Sequence, residues 1–333
     1  MPKLTVKNSL VILLVCILVF VGSFASAIYL IHGDMEQACN EKAERDLDIV
    51  LGGFDLELSR AEQSLSTFVA TVYENGERIP DKEEIYRQME LFLNNNPYLS
   101  GIVASFEDSV FPEYADKNGF SPLIRHQGDS LVRYQIGETR DVRVVNDWYM
   151  VPKEHDIRVW SRPFSSEEGD LISCFSIPLH QNGKVIGVAA VDLSLSRIKD
   201  LIGRIKPTPD ATVTLMLTTD LTYMIHPNHA YEMNKTMAET FHELGIDVSH
   251  ELLQNIMDRK RGRELLSWGS HSSYVYYGPV EKARCAAMID VPRQTVMAPL
   301  TEIFINMLTC AGVGLLVLII FLITRTRFSP SLK

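Results

Sequence analysis

A chain of 333 residues with 46% hydrophobic and 22% charged side chains has room for two or three ordinary domains, or for one two-lobed domain plus membrane segments. Its charge is unevenly placed: five of the 32 Lys and Arg, and none of the 42 Asp and Glu, lie outside residues 32–302, so this middle region carries a formal net of −15. That balance excludes nucleic acid or an anionic membrane surface as its main partner.

Residues 10–31 run for 22 positions without a charge, long enough for a membrane-spanning helix at about 1.5 Å per residue. Lys3 and Lys7 precede the run and place residues 1–9 in the cytoplasm. Ala25-Ser26-Ala27 resembles a signal cleavage site, but the apolar run is long for a signal core and continues through Ile31, which favours an uncleaved anchor. Residues 303–324 form a second span, with Arg325 and Arg327 after it. Both ends are therefore expected inside and residues 32–302 outside the cytoplasm, at the cell inner or plasma membrane.

Residues 34–75 read as one long helix. Leu47, Leu51, Phe54, Leu58, Ala61, Leu65, Phe68 and Val72 keep a heptad spacing, a stripe that packs either on its own domain or on a second copy of the chain. Gly52-Gly53 is its weak point, and Asn75-Gly76 ends it. A second helix is predicted over Lys82–Asn94 and a strand over Gly101–Phe106. Asp108 to Gly137, polar and punctuated by Pro112, Gly119, Pro122 and Gly128, reads as a long surface excursion.

The stretch from Arg143 to Leu195 is the most informative. Ile157–Trp160, Leu171–Pro178 and Val185–Leu193 read as strands, with Gln181-Asn182-Gly183 as a turn between the last two. Trp148 and Tyr149 precede this antiparallel sheet, and Asp192 sits near the end of its most apolar strand, where a buried acid needs a partner. Two readings stand for these residues. The rings and the acid bind a small ligand, or the rings are core and Asp192 caps the helix that starts near Ser194.

That helix runs to about Ile205, and Lys206-Pro207-Thr208-Pro209 is the clearest linker. Beyond it come strands at Ala211–Leu217 and Tyr223–Pro227, a helix over His250–Lys260, and strands at Leu265–Trp268, Ser272–Tyr277 and Ala286–Val291. Cys16 and Cys310 fall in apolar segments. Cys39, Cys174 and Cys285 are far apart, and whether two of them form a disulfide is open. His226 and His229 lack a third ligand nearby and mark a strand end, and Glu167, Glu168 and Asp170 lie in a Ser/Gly-rich turn. No hydrolase, zincin, Walker, kinase or diguanylate cyclase signature is present, so no catalytic residue, metal or cofactor is assigned.

DWYMVPKE, VWSRPF, a strand, a QNGK turn and VIGVAAVDLSL, in that order and spacing, resemble the membrane-distal lobe of the double Cache (PDC, PAS-like) extracytoplasmic sensor family. LTTDLTYMIHPNHAYEMNKTM and YVYYGPVEKARCAAMIDVP resemble its membrane-proximal lobe, so the resemblance covers about residues 34–297. It implies an α+β fold: two tandem PAS-like lobes, about 76–195 and about 207–297, on a long N-terminal helix flanked by two transmembrane helices. It also implies a small-molecule pocket in the distal lobe. Trp148, Tyr149 and Asp192 would form its wall, with Trp160, Arg143, Arg162 and Phe164 around them.

In amino-acid-binding members an Arg two residues before the Trp-Tyr pair holds the carboxylate, and a later Tyr-x-Asp joins the last-strand Asp around the amino group. Here Asn146 and Phe164-Ser165-Ser166 stand in those places. An amide cannot make the bidentate, charge-assisted contact a carboxylate prefers, so the expected ligand is not an ordinary α-amino acid. Arg143 or Arg162 replacing the missing cation would keep a carboxylate or other anion in play. The implied function is the sensing input of a bacterial transmembrane receptor, a homodimer that signals through its second span to a cytoplasmic effector domain or partner. Residues 325–333, with Pro330–Lys333, resemble the opening of a HAMP-type linker. The chain then reads as the sensor piece of a longer histidine kinase, chemoreceptor or sporulation-type serine phosphatase, or as a protein that signals through a partner. The alternative is a structural or interaction ectodomain without a small-molecule ligand.

Overall fold

The computed structural model describes residues 6–74, 79–117, 119–128, 130–136, 147–166, 169–204 and 209–327. Helix α1 (Val6–Val69) runs unbroken through Gly52-Gly53 and ends in a wider turn over Ala70–Glu74. The predicted stop at Asn75-Gly76 lies outside the described residues. Helix α2 (Lys82–Asn95) starts where the Asp81 carboxylate accepts from the Glu84 amide at 2.9 Å, satisfying one of the free N–H groups of its first turn.

The first sheet holds β1 (Gly101–Phe106), β2 (Pro122–Gln127), β3 (Ser130–Gln135), β4 (Val159–Trp160), β5 (Phe164–Ser165), β6 (Leu171–Gln181) and β7 (Lys184–Ser194). All its pairings are antiparallel, in the order β3-β2-β1-β7-β6-β4, with β5 also on β6. Between β3 and β4 lies helix α3 (Asp147–His155), and helix α4 (Leu195–Ile202) follows β7. The expected surface excursion at Asp108–Gly137 is corrected: β2 and β3 extend the sheet there beside β1.

Helices α1 and α2 cover one face of this sheet and α3 the other. Central strands buried on both faces need apolar residues at every position, which is why β7 reads as a continuous apolar run. The β6–β7 hairpin turns at Asn182 and Gly183, both at positive φ, the geometry of a two-residue turn that matches strand twist. Gly187 is required by closeness: a Cβ there would sit 2.3 Å from the Ser105 carbonyl oxygen on β1.

The second sheet holds β8 (Thr212–Leu217), β9 (Tyr223–Ile225), β10 (Gly262–Trp268), β11 (His271–Pro279) and β12 (Cys285–Pro292), in the order β10-β11-β12-β8-β9. Helices α5 (Met237–Glu243) and α6 (His250–Met257) cover one face, and α1 covers the other. The final helix, α7 (Arg293–Arg327), continues directly from β12.

The heptad stripe spends itself inside the chain. Leu47, Leu51, Phe54 and Leu58 are buried on the second sheet, and Ala61, Leu65 and Phe68 on the first, with Val72 partly buried beside them. Of the two readings of the stripe, packing within its own chain holds for Leu47 to Phe68, which leaves only the partly buried Val72 for a second copy. Cys39, Cys174 and Cys285 are free thiols. His226 and His229 belong to a local brace: Lys199 of α4 donates to the His226 carbonyl at 3.0 Å and pairs with Glu232 at 2.7 Å, and Glu232 accepts from His229 at 3.1 Å. Burial lowers the His226 pKa.

The N-terminal part of α1 and residues 301–321 of α7 are each long and apolar enough to cross a membrane. Leu18, Val19, Leu30, Leu316 and Val317 stand exposed on them, surface that water does not favour.

Candidate ligand-binding site of the first lobe

The site is built on the register of β7. Asp192 lies opposite Gly101 of β1 on one side and Cys174 of β6 on the other. It therefore shares a face with Val188 and Ala190, the face that α3 covers, and not the face that α1 covers. Asp192 is 2% exposed, and both its oxygens are engaged. Arg125 of β2 reaches Oδ2 with Nη2 at 3.1 Å and Nε at 3.3 Å, and the Cys174 thiol donates to Oδ1 at 2.9 Å. Gly101 makes the crossing possible: a Cβ there would lie 2.8 Å from Arg125 Cγ and 3.1 Å from Asp192 Oδ2. The Arg125 side chain is 15% exposed, so the pair sits at low dielectric, where losing either charge is costly. Burial first, and Asp192 second, push the Cys174 thiol far above its ordinary pKa, so it is a protonated donor and not a nucleophile.

Trp148 and Tyr149 sit in the first turn of α3, 4% and 1% exposed, edge to face at 5.8 Å. They pack on Val103, Leu123, Ile172, Cys174, Val188 and Ala190, with Phe164 partly buried at the same cluster. The Tyr149 hydroxyl donates to Glu107, which also pairs with Lys153 at 2.6 Å. Helix α3 is thus pinned at the end of β1 opposite the Asp192–Arg125 pair.

Of the seven expected site residues, Trp148, Tyr149 and Phe164 share one apolar cluster, and Asp192 lies on the same face of the sheet, linked to that cluster through Cys174. Trp160 and Arg162 do not join them. Trp160 pairs with Phe175, one position on from Cys174, which turns its ring to the opposite face. There it packs at a tilt against Phe175, ring centroids 5.2 Å apart, and its Nε1 donates to Glu62 of α1 at 2.9 Å. Arg162 reaches Asp220 of the second lobe at 2.9 Å. Both line a cleft of about 1090 Å³ between the lobes. Arg143, and Asn146 with it, lie outside the described residues. Asp192 caps no helix: Ser194 holds the cap position of α4, and its side chain makes no capping bond. Arg125, Glu107 and Cys174 were missed from the sequence, where the one signal was that a buried Asp192 required a partner.

Residues 85–200 match the family model of the first PDC sensor domain of methyl-accepting chemotaxis protein-like proteins. Methyl-accepting chemotaxis protein TlpQ of Pseudomonas aeruginosa is 26% identical over 144 residues, a match covering 36% of this chain and 20% of that one, so the chain spans about a fifth of this curated relative. The extracellular domain of the putative histidine kinase mmHK1S-Z2 superposes with a TM-score of 0.65 at 17% identity, covering 78% of this chain and 99% of that one. The ligand-binding domain of the amino acid chemoreceptor PctC of P. aeruginosa, solved in complex with GABA, gives 0.55 at 16% identity, covering 76% and 99%. The match places residues 85–200, which hold β1, α3, β6 and β7, alongside the first PDC sensor domain of chemotaxis-protein type, and the likeness to mmHK1S-Z2 shows a shared fold that reaches through both sheets.

Proposed function

We propose that the chain is the ligand-sensing input region of a bacterial transmembrane receptor, that a small molecule binds in the first lobe beside Trp148, Tyr149 and Asp192, and that α7 carries the change across the inner membrane. The observation that supports this best is that two buried aromatic rings and a buried Arg–Asp pair lie on the one face of the first sheet that α3 covers, bridged by Cys174. A relative solved with GABA supports a small-molecule ligand. The partners Asp192 already has within the chain support a class: Arg125 offsets the charge that an α-ammonium group would need. The ligand is therefore not an ordinary α-amino acid. The basic residues that flank both apolar helices support a topology with residues 32–302 outside the cytoplasm. The output is a kinase, chemoreceptor or phosphatase effector, or a separate partner. A thermal-shift screen of the full chain in detergent against small metabolites tests the reading. A compound that raises the unfolding midpoint saturably, with the effect lost in Trp148→Ala, is the expected result.

A second reading, an ectodomain without a small-molecule ligand, is favoured by the near-complete burial of Trp148 and Tyr149. No hit in the screen, with both side chains serving only packing, is its outcome.

A further inference from the structure

The cleft of about 1090 Å³ between the lobes belongs to neither sheet alone. Its apolar lining comes from Phe54 and Leu58 of α1, Trp160 and Phe175 of the first lobe, and Leu217 and Met224 of the second. Ile157 lines it as well and is 46% exposed, an apolar side chain left to water in a concave place. Concave, largely apolar walls with a few polar groups set among them are what small-molecule sites are made of.

The charges of the cleft run against those of the region around it. Residues 32–302 carry a net of −15, yet Arg158, Arg162, Arg259, Lys282 and Arg284 line the cleft against only Glu62, Asp147 and Glu281. Two of these cations are matched within the chain: Lys282 pairs with Glu62 at 2.7 Å and Arg162 with Asp220 at 2.9 Å. The other three guanidiniums have no carboxylate partner among the described residues. Arg158 donates to the Ser66 hydroxyl at 3.2 Å, and Arg259 to the Ala283 and Val280 carbonyls at 2.7 and 2.8 Å. The Arg284 side chain has no partner among the described residues. A guanidinium takes a carboxylate bidentately and lies flat on an aromatic face, so these three, on one cleft with Trp160 and Phe175, offer both contacts that an aromatic acid needs.

We infer that the cleft between the lobes is a binding site for a small aromatic carboxylate, its ring against the apolar lining and its carboxylate between Arg158 of the first lobe and Arg259 and Arg284 of the second. Such an occupant touches both lobes at once. Arg284 immediately precedes β12, the strand that continues into α7, so the occupant also acts at the start of the path to the outgoing helix. Trp160 and Phe175 lie on the opposite face of the first sheet from Trp148 and Tyr149, so the inference does not depend on a ligand beside those two.

The test is titration calorimetry of the full chain in detergent, with sodium benzoate as the probe. Benzamide, its uncharged analogue of similar shape, and sodium chloride at equal ionic strength are the controls. Saturable benzoate binding is expected in the wild type, about tenfold or more tighter than that of benzamide. Arg158 and Arg284 are exposed, so replacing them leaves the core intact. Arg158→Gln and Arg284→Gln should each weaken binding about fivefold, and the double variant about tenfold or more, the loss expected for charge-assisted contacts. Ile157→Ser should weaken it about threefold through the apolar wall. Lys184→Gln, which removes an exposed cation outside the cleft lining, should leave it unchanged, and so should Trp148→Ala. No saturable binding, binding as strong in the double variant as in the wild type, or binding lost in Trp148→Ala but kept in the double variant, would overturn the assignment. If Trp148→Ala does not fold, the arginine variants decide alone.

Discussion

At the scale of single residues, the buried Arg125–Asp192 pair dominates the first lobe. Removing one partner leaves the other charge at low dielectric, so Arg125→Leu should cost about 3–5 kcal/mol, while the double change Arg125→Leu/Asp192→Leu should recover most of it. Chemical denaturation of the full chain measures both. Asp290 predicts a pH dependence of the opposite sense to most carboxylates. Its folded-state pKa is raised, so the unfolded chain gives up that proton first and the contribution to stability fades as pH rises through the carboxylate range. The nearby Tyr223 phenol, pushed up to about 12 chiefly by burial, stays neutral throughout. Relative to wild type, Asp290→Asn should therefore gain stability between acid and neutral pH, and stability curves of the two at several pH values check the sign. The sequence made Asp192 legible as an acid in want of a partner. It could not name Arg125, which lies 67 residues away in a stretch whose Pro and Gly residues read as loop.

Among the elements, the long helix and the strands of the β6–β7 hairpin were legible because their periods are strong and their punctuation is local. The stripe on α1 was legible as a stripe, but its partner was not, since heptad spacing serves a packed sheet as well as a second helix. With Leu58 and Leu65 buried in different lobes, Leu58→Ala and Leu65→Ala should each cost about 2–5 kcal/mol without changing the sedimentation of the full chain in detergent. A shift to a smaller species at unchanged stability would restore the stripe to a dimer contact. Strands β2 and β3 were hidden because β3 is an edge with largely polar, half-exposed positions. Arg133 on β3, paired with Glu90 at 2.6 Å and Glu83 at 3.0 Å, shows an edge held by ion pairs to α2 instead of by an apolar face.

For the whole molecule, the question is what joins the two sheets into one unit. Ion pairs between exposed groups tie the lobes, as at Arg162–Asp220, and each contributes about 0–1 kcal/mol. The larger share comes from α1, which lies on both sheets, and from Leu195, Ile198 and Ile202 of α4, which are buried in the core of the second lobe. Ile198→Ala should accordingly destabilise the chain by about 2–5 kcal/mol, against about 1 kcal/mol or less for Arg162→Gln, in the same denaturation experiment. Under the proposed function, a change at the α3 face of the first lobe passes through these shared elements to β12 and α7. That claim depends on a ligand being there. Titration calorimetry of the full chain with a compound from the metabolite screen tests it most directly, run beside Trp148→Ala, Asp192→Ala and the twenty standard amino acids. The predicted result is saturable binding of a compound that is not an α-amino acid, lost in both variants. Binding of a standard amino acid at micromolar strength that Asp192→Ala abolishes would contradict the assigned ligand class, and binding that survives both substitutions in a folded chain would contradict the site.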